Sequence, residues 1–250
     1  MSDILCKKAE GLMVLVMSRG KANAFHAPLM EELYTAVQSA GADPGVRGVV
    51  IASGRPGFFS GGFDVREVFH YGREEMSAFF GQFISVCENL RSLPKPVVAA
   101  LGGHTFAGGA ILALACDIRV MAKGPFGFAL NEVNLGLSVP PEISRMLMEA
   151  VGTARAREML FSGDPVTPER AYEIGLVHEL ADPEQVVERA EARARLLASK
   201  PPSAFATTKR QLRDLAAGRA AVGSLDGFLD MWFSNEASEA RQRLAAKLGR

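Results

Sequence analysis

Pro96-Val97-Val98-Ala99-Ala100-Leu101-Gly102-Gly103-His104-Thr105-Phe106-Ala107-Gly108-Gly109-Ala110-Ile111-Leu112-Ala113-Leu114-Ala115 decides the fold class. Its opening apolar run is uninterrupted and short, as expected of a parallel strand covered on both faces. A glycine-rich loop at 102–109 follows, and then an apolar helix through Ala115. The same grammar appears upstream. Residues 46–52 form a second apolar run closed by Ser53-Gly54, and 56–62 form a second glycine-rich loop. A helix start follows at Asp64, with Glu67 three residues on as a capping pair.

Working outward, residues 4–8 and 12–17 flank Glu10-Gly11 as a hairpin. Met30, Leu33, Val37 and Ala40 recur at helical spacing after Pro28, and residues 73–93 read as a long helix stopped by Pro94. Strands are expected at 118–122 and 126–130. From Pro141 the chain reads as mostly helical, with one strand at 176–180. Pro201-Pro202 marks a composition break. Helices are expected at 203–217 and 222–248, with Phe228, Leu229, Trp232 and Phe233 on apolar positions. Such a tail cannot bury those aromatics alone and should pack on the body or on another subunit. Alternating strands and helices with glycine turns predict an α/β fold.

The 250 residues carry 28 Lys+Arg against 28 Asp+Glu, so the formal net charge is zero. There is no basic stripe for nucleic acid or anionic lipid, and no apolar run reaches the ~18–20 residues of a membrane span. Residues 1–11 lack the layout of a secretory signal, so a cytoplasmic chain is expected. Cys6, Cys87 and Cys116 form no C-x-x-C, and His26, His70, His104 and His178 form no metal-ligand spacing, so no metal site is expected.

Ligands of parallel sheets gather beyond the carboxyl ends of the strands. Neither glycine loop carries a phosphate-binding or dinucleotide fingerprint. Gly136-Leu137-Ser138-Val139-Pro140 lacks the second glycine of a nucleophile elbow. What such loops can offer is backbone N–H groups. Gly108-Gly109 open one helix and Gly62-Phe63 precede another, so two amides could converge on an oxyanion. Equally, these glycines could serve only tight turns and close packing. A proton carrier is then needed. Asp117 reads as a turn or cap residue and Asp64 as a helix cap. If the strand from Phe126 runs on, Glu132 shares the face of Phe126, Phe128 and Leu130, where desolvation would make it a base near neutral pH. If that strand ends at Asn131, Glu132 lies in water instead.

These segments resemble the crotonase superfamily, the enoyl-CoA hydratases and isomerases, collinearly over nearly the whole chain. Gly20-Lys21-Ala22-Asn23-Ala24-Phe25 is similar to the family's N-A-L segment, beside which coenzyme A binds. Phe59-Ser60-Gly61-Gly62-Phe63-Asp64-Val65 resembles F-x-x-G-x-D-[ILV], and Cys116-Asp117 continues a C-D-[IY]-R pattern. The resemblance implies oxyanion-hole amides at Phe63 and Gly108 and a catalytic Glu132. It also implies substrate-binding positions at Lys21, Ala22, Ala24, Gly61, Gly62, Arg66, Ile111 and Leu135. Arg19 is a further candidate phosphate partner, while His104 reads as structural.

The fold implied is a crotonase-like spiral of repeated ββα/βαβ turns over residues 1–200. A helical trimerisation region follows at 201–250, giving a homotrimer or dimer of trimers. The position of the first hydratase glutamate is Ile111 here, whereas the second is kept as Glu132. Leu130-Asn131-Glu132-Val133-Asn134-Leu135-Gly136-Leu137 resembles the L-N-E-x-x-L-G-[IL] of Δ3,Δ2-enoyl-CoA isomerases. The expected activity is therefore a 3-enoyl-CoA to 2-enoyl-CoA shift with one glutamate base. No cofactor is expected beyond the coenzyme A of the substrate. Weak hydration, decarboxylation, thioester hydrolysis or silent acyl-CoA binding are the alternatives.

Overall fold

The computed structural model describes residues 2–219 and 225–247. The chain opens with β1 (Ile4–Ala9) and β2 (Leu12–Met17), then α1 (Ala27–Ala42), β3 (Gly48–Ser53) and β4 (Gly57–Ser60). Next come α2 (Val65–Val68), α3 (Arg73–Ser92), β5 (Val97–Leu101), β6 (Gly103–Phe106), α4 (Gly108–Leu114), β7 (Ile118–Ala122) and β8 (Phe128–Ala129). The remainder is α5 (Pro141–Ser162), α6 (Pro168–Glu173), β9 (Glu179–Ala181), α7 (Val186–Ala198), α8 (Pro202–Ala216), α9 (Leu225–Trp232) and α10 (Asn235–Lys247).

Two sheets result. The large one has the order β1-β2-β3-β5-β7-β9, and the small one β4-β6-β8. Three successive turns of the chain therefore each give one strand to the large sheet and the next to the small sheet. The β1–β2 hairpin is antiparallel, closed by Glu10 and Gly11 at φ 49° and 75°, the primed turn that matches strand twist. The later pairings within both sheets are parallel.

Strand alternation divides the large sheet between two cores. Val49 and Ile51 face the larger core with α1 and α3. Val50 and Ala52 face a smaller one closed by Val186, Ala190 and Ala194 of α7. This two-sided burial is why β3 and β5 read as unbroken apolar runs. Edge strand β1 is exposed along most of its length and carries Lys7 and Lys8, which deter further strand pairing.

Several boundaries depart from the sequence expectations. Both glycine-rich loops contain strands, β4 and β6, because their glycines let the two backbones pack closely. The strand expected at 126–130 is only Phe128–Ala129, so two-residue alternation does not reach Glu132. The strand expected at 176–180 is displaced to Glu179–Ala181. The long final helix is two helices separated at Phe233-Ser234, and residues 222–224 and 248 of that stretch lie outside the described residues.

Gly103 is the tightest of the close approaches, since a Cβ there would lie 2.1 Å from the carbonyl carbon of Gly57 in β4. Gly103→Ala should therefore cost roughly 3 kcal/mol in urea unfolding, at the upper end of overpacking penalties. Gly81→Ala, in the interior of α3 with no atom within 4 Å of its added methyl, should instead stabilise by about 0.5–1 kcal/mol.

Candidate active site

The small sheet organises the site. Phe63 lies three residues beyond β4, Gly108 two beyond β6, and Glu132 three beyond β8. All three strands are parallel, so these residues gather beyond one carboxyl edge.

Phe63 and Gly108 are brought together by glycine contacts. A Cβ on Gly62 would meet the Gly108 nitrogen at 3.1 Å, and one on Gly108 would meet the Phe63 ring at 2.9 Å. The peptide groups around Phe63 are committed to Phe25. The Phe25 N–H donates to the Gly62 carbonyl at 2.7 Å, and the Asp64 N–H donates to the Phe25 carbonyl at 2.8 Å. The Phe63 ring packs edge-on against Phe79 and Phe83, with centroids 5.0 Å away in each case. Among the described residues the Phe63 N–H has no acceptor, and the Gly108 N–H is a first-turn amide of α4 with no intrahelical partner.

Ala107, the cap of α4, has φ 47° and ψ −120°, a conformation strained for any residue with a Cβ. It is pinned from both sides. Its N–H donates to the Ala129 carbonyl of β8 at 2.9 Å, and its carbonyl accepts from the Ile111 N–H at 3.0 Å. The strain turns the chain sharply so that Gly108 starts the helix facing the β4 loop. Gly109 is needed for the same approach, because a Cβ there would lie 2.6 Å from the Ser60 carbonyl oxygen.

Glu132 begins a single 3-10 turn, Glu132–Leu135, rather than continuing a strand. It is half-buried. Its Oε2 is fully buried without a hydrogen-bond partner, as is the Oδ1 of Asn131. Burial pushes the Glu132 carboxyl above its ordinary pKa, and its own backbone N–H offsets this in part. The desolvation expected from a strand face thus arises from a turn. Buried acceptors left unpaired cost about 1–3 kcal/mol each and call for an explanation.

The remaining candidates are scattered around this edge. The Ala22 carbonyl accepts from the Gly61 N–H at 2.8 Å, joining the 20–24 loop to the β4 loop. The Gly62 N–H donates to Ser60 Oγ at 3.1 Å. Lys21 and Arg66 are exposed, and so is Leu135 at 58%. Ile111 is buried in α4.

Arg19 is not free to meet a phosphate. Its guanidinium lies 2.8 Å from Asp64 and donates to the Ala24 carbonyl at 2.6 Å. The hydrogen bond from Arg19 to Asp64 holds that carboxyl below its usual range, while Asp64 also caps α2 by accepting from the Arg66 N–H at 3.2 Å. His104 accepts from the Gly127 N–H at 3.1 Å and stacks among Phe58, Phe106 and Phe126.

Asp117 is not a simple turn residue. It accepts from the Val97 N–H and from Lys209 Nζ of α8, both at 2.8 Å, at the amino ends of β5 and β7. It lines a 590 Å³ cleft whose charged groups are largely paired with one another. Among the described residues no cluster of three or more His, Cys, Asp or Glu could hold a metal, and no helix is long and apolar enough to cross a membrane.

Sequence reasoning gave no role to Asn23, Ser60 or Ala107. All three lie inside the quoted stretches, but the importance of Asn23 and Ser60 rests on long-range hydrogen bonds. The strain at Ala107 has no composition signal.

The enoyl-CoA hydratase/isomerase family model matches residues 7–243. A probable enoyl-CoA hydratase of Bacillus subtilis is 36% identical over 196 residues, 78% of this chain and 75% of that protein. An enoyl-CoA hydratase structure from Geobacillus kaustophilus superimposes with a TM-score of 0.87 at 26% identity, covering 99% of this chain and 95% of that one. Human mitochondrial delta3-delta2-enoyl-CoA isomerase shares the fold, with a TM-score of 0.83 at 24% identity over 99% of this chain and 98% of its own. Two glycine loops and a desolvated glutamate beyond one sheet edge, in a chain matched almost end to end, identify this protein as an enzyme of the enoyl-CoA hydratase/isomerase family.

Proposed function

We propose that this enzyme moves the double bond of a 3-enoyl-CoA to the 2-position, with Glu132 as its single proton carrier. The observation that carries this reading is one desolvated carboxylate with an unpaired oxygen, together with a buried isoleucine at position 111. Hydration must position a water and deliver a proton, work that two carboxylates divide. A 1,3-proton shift needs one base. Glu132 takes the proton from C2, the electron pair moves through the dienolate, and the same carboxyl returns the proton at C4.

The developing negative charge resides on the thioester oxygen, between the Phe63 and Gly108 amides. One such donor is worth roughly 3 kcal/mol in the transition state. Ile111 keeps nucleophilic water away from C3, and Leu135 offers apolar surface to the acyl chain. Ala22, Ala24, Gly61 and Gly62 line the thioester's path, and exposed Lys21 and Arg66 meet the phosphates. Asp64, the other carboxylate close behind a small-sheet strand, is already held by Arg19.

The apolar face of the tail supports assembly into a trimer or dimer of trimers. Phe228 is 60% and Phe233 74% exposed on the single chain. Light scattering should give three or six protomers.

Purified protein supplied with 3-enoyl-CoA should accumulate the conjugated 2-enoyl thioester, followed by its absorbance. Glu132→Gln should lower kcat by about 10²- to 10⁴-fold while still binding acyl-CoA. Rapid hydration of 2-enoyl-CoA by wild type, or full activity in the Gln variant, would overturn the assignment.

The raised pKa carries a sign for both rate and stability. The base is active only when ionised, so kcat should rise with pH through a midpoint above that of an ordinary glutamate. The folded state holds this proton more tightly than the unfolded chain. Its stabilising contribution is therefore complete below about pH 4.3 and is lost as pH rises through the raised folded value. Glu132→Gln should melt above wild type at pH 7 and level with it at pH values below the ordinary glutamate range, as thermal unfolding at the two pH values would show.

A further inference from the structure

Ser60 ends β4 with no exposed surface, yet its hydroxyl touches neither solvent nor any proposed reacting atom. It donates to the Asn23 carbonyl oxygen at 2.8 Å and accepts from the Gly62 N–H at 3.1 Å. Gly62 is the residue before the first oxyanion amide, and its own φ of 91° places it in a conformation that needs glycine. On the other side, the Ser60 carbonyl and Cβ are what a methyl on Gly109 would strike, at 2.6 and 2.7 Å. Ser60 is thus wedged between the frameworks of both oxyanion amides.

Asn23, its partner, is equally buried and holds φ 46°, uncommon for a residue with a side chain. Its side chain explains the tolerance. Oδ1 accepts from the Arg19 N–H at 2.8 Å, while Nδ2 donates to Ser53 Oγ at 2.8 Å and to the Phe59 carbonyl at 3.1 Å. The 19–24 loop is therefore shaped by one asparagine, and the Ser60 hydroxyl is the side-chain link from its Asn23 carbonyl to the Gly62 N–H. The Gly61 N–H to Ala22 carbonyl bond runs beside it.

We propose that Ser60 is a positioning residue that couples the 19–24 loop to the two oxyanion amides, so that seating the nucleotide end of the substrate sharpens polarisation of the thioester carbonyl. The proposal rests on the coenzyme A thioester reading given above. Its physical content is that binding energy from a remote part of the substrate is used at the reacting centre. Truncated substrates then lose kcat as well as affinity.

The test compares 3-enoyl-CoA with the same 3-enoyl group on N-acetylcysteamine, using wild type, Ser60→Ala, Ser60→Cys and the control Thr105→Val. Thr105 is a buried residue of β6 whose hydroxyl, among the described residues, bonds only to the Gly103 carbonyl, so it reports the cost of losing a buried hydroxyl in the same sheet. Ser60→Ala should lower kcat on the coenzyme A substrate about tenfold, less than the 10²–10³ for outright loss of an oxyanion donor, with KM within about twofold. Ser60→Cys should recover part of that loss, since a thiol is a weak donor and acceptor.

The ratio of kcat between the full and truncated substrates should fall toward one in Ser60→Ala and stay at the wild-type value in Thr105→Val. The carbonyl stretching frequency of a bound saturated acyl-CoA should be higher in Ser60→Ala than in wild type. Unchanged kcat, or an equal loss on both substrates, would overturn the coupling. If wild type fails to turn over 3-enoyl-CoA, the isomerase reading falls, and the carbonyl frequency still decides whether Ser60 links the loop to the amides.

Discussion

The whole site depends on one constraint, the approach of the segments that follow β4 and β6 to within backbone contact of each other, with β8 hydrogen-bonded alongside through Ala107 and Ala129. The segments after β4 and β6 could not come so close if their meeting points carried side chains. A Cβ at Gly109 would strike the Ser60 backbone and one at Gly62 would strike Ala107 and the Gly108 nitrogen, while Gly103 permits the same closeness at the opposite, amino ends of the two strands. Missing side chains at these few positions let two amides stand side by side at a third strand's end. The large sheet and its two cores supply the rigidity behind this arrangement, and most of the apolar burial that stabilises the chain is there.

Against that rigid background, the site departs from the rules followed elsewhere. Ala107 occupies a strained backbone region, Asn23 sits buried at positive φ, and Glu132 hides a carboxylate oxygen with no partner. Each feature costs stability, and the three lie on segments joined by hydrogen bonds beyond the same sheet edge. Strain and desolvation concentrated at one edge of an otherwise satisfied fold are what a reacting centre requires. The half-buried Asp117–Lys209 pair shows the contrast. Burial raises the Asp117 pKa too, yet Lys209 and the Val97 N–H satisfy the carboxylate, and the pair fastens α8 to the body.

How far the sequence reveals this structure varies with the range of the interaction. The strand at Val97–Leu101 is legible to the residue because two-sided burial demands a continuous apolar run, and the strand at Ile118–Ala122 is legible despite Arg119 within it. The long helix α3 is legible because Pro94 stops it. Strands β4 and β6 are hidden because the glycines that permit their pairing look like loop residues. Glu132 shows a different limit. The expected desolvation is present, but it arises from a 3-10 turn after a two-residue strand and not from alternation along a longer one. Arg19 looks like a free surface charge until Asp64, 45 positions later, is seen to hold it. The Ser60–Asn23 link spans a similar distance and leaves no local pattern.

The division of labour between main chain and side chain has an evolutionary corollary. Under the proposed function carbonyl polarisation is carried by peptide N–H groups, which no ordinary amino-acid replacement short of proline removes. Under the same proposal the proton carrier, by contrast, is a side chain, Glu132 after β8, while the apolar Ile111 comes from the preceding turn of the spiral. Drift at such positions can exchange one acyl-thioester reaction for another while the activating frame is inherited intact. Chemical diversity thus becomes a matter of a few independent side-chain choices on a durable backbone.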